Sequence, residues 1–131
     1  MFLYIKLYRI ILYMTYKLNS LSPEDNDGNI EYKWKLCDIL PHKISQLTTQ
    51  MLFRLTEGGG NAEYYIGVTD KGTSVGISKN DMNTTLSNLF QCCKMLDARV
   101  LHYRIYTQDD GYYCLHLKVK KTNLPCDKIS I

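Results

Sequence analysis

From residue 30 onward the apolar residues switch repeatedly between two spacings, and this switching limits the available folds more than any other feature of the chain. Ile30, Tyr32, Trp34 and Leu36 alternate with Glu31, Lys33 and Lys35, the period of a strand with its apolar side chains turned inward. From Pro41 to Glu57 the pattern changes: Ile44, Leu47, Met51 and Leu55 make one helical stripe,. Gly58-Gly59-Gly60 ends it, because glycine turns the backbone sharply where other residues resist,. Ala62 to Val68 and Thr73 to Ile77 read as short strands joined by Thr69-Asp70-Lys71-Gly72, a turn by composition,. Ser78, with Asp81 three residues on, makes an acidic variant of the capping box,. The helix behind it carries Met82, Leu86, Leu89, Phe90, Cys93 and Leu96 inward. Val100 to Tyr106 and Tyr112 to Lys120 close as a hairpin across Gln108-Asp109-Asp110-Gly111,. The predicted fold class is α+β: a two-layer sandwich with a mostly antiparallel sheet of about five strands and two packed helices, plus an extra N-terminal helix or extension.

A chain of 131 residues fits one core, and 45% apolar against 22% charged residues excludes a disordered class,. Net charge +3 permits contact with nucleic acid without arguing for it,. The eleven tyrosines fall largely on strand-like stretches, where the residue is favoured,. Cys37, Cys92, Cys93, Cys114 and Cys126 contain no Cys-x-x-Cys, and His42, His102 and His116 are scattered. No metal site is expected from them; free buried thiols in a reducing, cytoplasmic setting are.

Residues 1–20 stand apart. Leu3, Leu7, Ile10, Ile11, Met14 and Leu18 fall at helical spacing, with Lys6, Arg9 and Lys17 on other faces. The longest uncharged run, Ile10 to Tyr16, is seven residues, against the ~20 of a membrane span. Lys17-Leu18-Asn19 offers no signal-peptide cleavage site,. A helix packed on the domain, a poorly ordered extension and an amphipathic helix on a membrane surface all fit; a membrane is not expected as the principal partner.

Gly67-Val-Thr-Asp-Lys-Gly72-Thr73-Ser74 approaches the phosphate-loop pattern G-x-x-x-x-G-K-[ST] but lacks the lysine after the second glycine,. Both its flanks read as strand, whereas a phosphate loop leads into a helix N-terminus; a hairpin turn accounts for the residues. The glycines after Glu57 lie at the negative end of a helix, which repels phosphate. Gly67 and Gly76, inside strand-like stretches, suggest a bulge or the close approach of a helix. Asp25, Asp27, Asp70, Asp109 and Asp110 belong to turns,. His102 and His116, on the two strands of the last hairpin, could face each other, but no serine or cysteine is spaced as a nucleophile beside them. No catalytic or cofactor-binding residue is predicted.

The last hairpin suggests a binding face. With Leu101, Tyr103, Ile105, Tyr113, Leu115, Leu117 and Val119 turned toward the helices, His102, Arg104, His116, Lys118 and Lys120 share the other side, with Lys121 adjoining. Such a face can hold phosphates in a sequence-independent, salt-sensitive way; the same alternation also describes an ordinary solvated sheet face.

Leu21-Ser-Pro23-Glu24-Asp25-Asn-Asp-Gly28-Asn29-Ile-Glu31-Tyr32-Lys33 resembles the opening of the N-terminal domain of the GTP-binding protein one and two family, elongation-factor-like translational GTPases. Thr49-Gln50-Met51, Arg54-Leu55-Thr-Glu57-Gly58 and Tyr65-Ile66-Gly67-Val68-Thr-Asp70-Lys-Gly72 continue the resemblance in order, over roughly Leu21 to Lys121. It implies that residues 21–124 are an accessory domain, non-catalytic alone, and that 125–131, with Asp127-Lys-Ile129-Ser-Ile131, begin the strand of a following GTPase domain. GTP and Mg²⁺ would then belong to the parent protein, and the implied partners are its GTPase domain, the ribosome, tRNA or other RNA. A weaker resemblance, through Glu31-x-Lys33, the paired glycines, Tyr65-Ile66-Gly67-Val68 and Gly72-x-x-Val75-Gly76, is to the AlbA-like domain of Schlafen-type proteins, which implies a free-standing nucleic-acid-binding module instead.

Overall fold

The computed structural model describes residues 18, 20–37 and 41–124. They form β1 (Ile30–Lys33), α1 (Pro41–Glu57), β2 (Asn61–Ile66), α2 (Lys79–Met95), β3 (Arg99–Thr107) and β4 (Tyr113–Lys120). One sheet in the order β1-β2-β4-β3 results, with β1 parallel to β2 and the other two pairings antiparallel. This is the expected α+β sandwich, with four strands where about five were predicted. The missing strand is 73–77, reduced to isolated bridges from Val68 to Ser74 and from Ile77 to Tyr113.

The helix ends follow from local chemistry. The Asp81 N–H donates to the Ser78 hydroxyl at 3.1 Å, which caps α2,. At the end of α1, the Gly59 N–H donates to the Thr56 carbonyl and the Gly60 N–H to the Leu55 carbonyl. With Gly59 at φ 63, this is a Schellman closure that occupies carbonyls the helix cannot satisfy,. Gly67 and Gly76 serve close approach, but not of a helix. A Cβ on Gly67 would lie 3.0 Å from the Tyr113 carbonyl oxygen and 3.2 Å from the Gly76 Cα, so the loop folds directly onto the start of β4.

Both helices pack on one face of the sheet. Ala62, Tyr64, Ile66, Ile105, Leu115, Leu117 and Val119 meet Ile44, Met51, Leu55, Met82, Leu86, Leu89 and Cys93 in a single cluster. Full burial of such a side chain contributes about 1.5–3 kcal/mol. Phe90 and Leu96 are only partly buried, while Cys92 and Thr85, on the same helix, are fully buried.

Two strands depart from the expected phase. In β1, Glu31 is buried on the helix side and pairs across the sheet with Tyr64, whereas Tyr32 pairs with Tyr65 on the opposite face. The alternation is real but inverted, because each face has its own cover. Arg54 of α1 meets Glu31, and the segment before β1 covers Tyr32, whose hydroxyl donates to the Ser22 carbonyl at 2.7 Å. In β3 the register with β4 shifts between Val100 and His102. Leu101 becomes the extra residue of a bulge and is 47% exposed, and Val100 takes the inward place expected of it,.

Cys92, Cys93 and Cys114 are buried free thiols, and Cys37 is half-buried; Cys126 lies outside the described residues. Burial pushes Cys93 up to about 12 and Cys114 up to about 11, and raises Cys37 and Cys92 as well. Thiolate, the reactive form, is therefore scarce. Alkylation at pH near 8, mapped by peptide mass spectrometry, is expected to spare Cys92, Cys93 and Cys114 until denaturant is added. Comparable labelling of Cys93 in the native and unfolded chain would contradict this packing.

The expectations for residues 1–17 and 125–131 lie outside the described residues. Among the described residues no helix is long and apolar enough to cross a membrane.

Candidate functional site

The face of the sheet away from the helices carries every residue of the predicted binding face. Alternation along β4 turns His116, Lys118 and Lys120 outward while Leu115, Leu117 and Val119 enter the core. The bulge at Leu101 brings β3 into phase with it. Arg99 then stands opposite Lys120, His102 opposite Lys118, and Arg104 opposite His116. Three successive cross-strand pairs thus join basic residues, an arrangement that costs stability wherever both members are charged. Among the described residues, none of Arg99, His102, Arg104, Lys118 and Lys120 has an ion-pair partner.

His102 and His116 do not face each other. His116 instead joins a single row across all four strands, Tyr32, Tyr65, His116 and Arg104, each opposite the next. The Tyr65 and His116 rings stack with centroids 4.3 Å apart and planes 11° from parallel. Tyr32 meets Tyr65 edge-on at 5.8 Å. Glu63 Oε1 lies 2.8 Å from His116 Nε2 and fixes the ring. Lys121 is not on this face: its ammonium donates to the Leu96 carbonyl at the end of α2. Arg99, Tyr65 and Glu63 were missed by sequence reasoning. Adjacent apolar residues at Val100 and Leu101 were the available signal that a bulge shifts the phase and brings Arg99 onto the face.

A second polar cluster is buried and structural. Arg54 is 3% exposed and its Nε donates to Glu31 Oε1 at 2.7 Å, with Glu31 also 3% exposed. Its remaining N–H groups reach the carbonyls of Asp25, Asp27 and Gly28 at 2.8–2.9 Å, so one side chain shapes the 24–29 loop. Glu24 Oε2 lies 3.8 Å from Arg54 Nη2 and accepts the Tyr32 N–H. Desolvation nevertheless holds the Glu24 carboxyl above its ordinary value, and the negative Glu31 adds to this. A raised acid binds its proton more tightly when folded, so its contribution is fully present at low pH and is lost as pH rises through the folded value. The stability of Glu24→Gln relative to the native chain is therefore expected to increase from acid toward neutral pH in urea titrations. A pH-independent difference would rule out this titration.

The remaining sequence candidates resolve into backbone structure. The Gly67–Ser74 stretch is a closed turn, with the Gly72 N–H donating to the Thr69 carbonyl and the Thr69 N–H to the Thr73 carbonyl. No helix begins at it; α2 starts at Lys79. Asp25 accepts the Asp27 N–H and Asp110 the Tyr112 N–H, each at 3.0 Å, as turn aspartates do,. Among the described residues no group of three or more His, Cys, Asp or Glu side chains is placed to hold a metal ion.

No protein-family model matches the chain. It is related in sequence to GTP-binding protein 2 of mouse and of human, 42% identical over 80 residues, which is 61% of this chain and 13% of each relative. It is 35% identical over 78 residues to an uncharacterized protein, R625, of Acanthamoeba polyphaga mimivirus, covering 59% of this chain and 42% of that one. The chain therefore spans less than half the length of each of these relatives.

Proposed function

We propose that this chain is a docking module of a larger GTP-binding protein, non-catalytic by itself, whose sheet face away from the two helices holds RNA. One observation carries the reading: the three consecutive basic pairs, Arg99–Lys120, His102–Lys118 and Arg104–His116, on a face that neither helix covers. Sequence patterns that oppose local stability are expected at functional sites, and an anion lying along the pairs relieves their repulsion. A phosphate backbone is the anion whose repeated charge fits a repeated array. The relationship to GTP-binding protein 2 favours a GTPase as the parent, with GTP and Mg²⁺ bound there. Ribosomal RNA or tRNA in the cytoplasm are then the natural targets. The same face would also serve a free-standing nucleic-acid-binding module.

Charge reversal of Arg104, Lys118 and Lys120 to Glu tests the reading. RNA affinity at low salt is expected to fall about tenfold or more. The unfolding midpoint should change little, since Lys120→Glu removes the like-charge pair with Arg99 while Lys118→Glu sets a second carboxylate opposite Glu63,. Unchanged RNA binding across a salt series would sink the proposal. GTP titrated into the chain is expected to give no binding signal.

A further inference from the structure

We infer that the β3–β4 track holds one phosphodiester strand by its backbone and leaves the bases unread, an inference that rests on the RNA-docking reading above. The width of the array points to a single strand. The basic side chains occupy only two neighbouring strands, three pairs long, from Arg99–Lys120 to Arg104–His116. Adjacent strands lie about 4.8 Å apart, and residues sharing a face recur about every 6.7 Å along a strand. The array is therefore a ribbon roughly 5 Å wide and roughly 13 Å long, room for one backbone over about four nucleotides. On the β2 side it is bounded by Glu63, opposite Lys118, whose carboxylate repels a second phosphate strand.

The orientation of the rings argues against base reading. Proteins that grip unpaired bases offer open aromatic faces for stacking. Here Tyr65 turns one ring toward His116, face to face at 4.3 Å, and meets the edge-on Tyr32 ring at 5.8 Å. His116 is held further by Glu63 at 2.8 Å. Tyr65 and His116 each close one face on the other and Tyr32 abuts Tyr65, so this row leaves no slot between stacked rings for a base, and affinity is expected to come from charge.

The whole chain, titrated by fluorescence anisotropy, tests this with four labelled RNA probes of about twelve nucleotides: oligo-U, oligo-A, an abasic ribose-phosphate oligomer and a duplex. The three single strands are expected to bind within about threefold of one another, and the duplex more weakly. The affinity should fall with salt at a logarithmic slope near −2.8, about 0.7 for each of Arg99, Arg104, Lys118 and Lys120, and Lys118→Gln should remove about 0.7 of it,. Tyr65→Leu should change affinity less than about threefold. A loss of about tenfold for the abasic oligomer or for Tyr65→Leu, or tighter binding of the duplex, overturns the inference while leaving RNA docking standing. If none of the four probes binds, the docking reading fails and the inference with it.

Discussion

Arg54→Ala is expected to remove about 3–5 kcal/mol of stability, because it strips the buried Glu31 of its closest partner and leaves it the longer ion pair with the more exposed Lys33,. Glu31 is 3% exposed and its Oε1 accepts Arg54 Nε at 2.7 Å, while Lys33, at 3.4 Å from the other oxygen, is the one cation left nearby. The loss extends beyond the pair. Arg54 also satisfies the carbonyls of Asp25, Asp27 and Gly28, so the alanine variant frees the 24–29 loop that leads into β1. Arg54→Lys keeps the charge without the planar fork and should recover less than half of the loss. Removing both charges with Arg54→Met and Glu31→Leu should recover more than the lysine variant, but not all, because the loop carbonyls stay unpaired. Urea unfolding of the three variants checks the order. A cost under about 1 kcal/mol for Arg54→Ala would show that water reaches the pair.

Gly72→Ala is expected to cost about 2 kcal/mol or more, although the residue lies in a turn whose neighbours Lys71 and Thr73 are exposed. Its φ of 90 strains any residue with a side chain,. A Cβ there would also collide with the backbone carbonyls of Leu21 and Ser22. Those residues lie against the turn through hydrogen bonds from the Leu21 N–H to Gly72 and from the Glu24 N–H to Asp70. The variant should therefore loosen the 20–24 segment first, and the Tyr32 hydroxyl with it. Amide exchange should show lost protection at Leu21 and Glu24 alongside the lower unfolding midpoint. Retained protection at both would mean that the turn yields alone.

These two residues also mark the limit of what the amino-acid sequence discloses. Helix α1 was legible to the residue, since Pro41 and the three glycines bracket an unbroken stripe, and the α2 cap at Ser78 was legible for the same local reason. The phase of β1 was not. Hydropathy places Tyr32 inside and Glu31 outside, and only a partner 23 positions along the chain reverses that. Arg54 was open to suspicion, three residues after Met51 and beside Leu55 on the apolar stripe, but its charge argues for solvent until Glu31 is known to face it. The basic face was legible in β4, where strict alternation holds. It was incomplete in β3, because one inserted residue at Leu101 changes which neighbours share a side. Ring stacking between Tyr65 and His116 depends on register between β2 and β4, which no local pattern encodes.

The bulge at Leu101 has a second effect, on how the chain meets copies of itself. In the four-strand order β3 is an outermost strand, with nine residues whose far side no described strand pairs. A regular strand of that length is a template for another chain to extend the sheet, and such extension is how β-rich proteins aggregate. The extra residue twists the hydrogen-bonding groups out of line, and Arg99 and Arg104 set cations on either side of the break,. One insertion thus aligns the cations for an anionic guest and spoils the same border for a second copy.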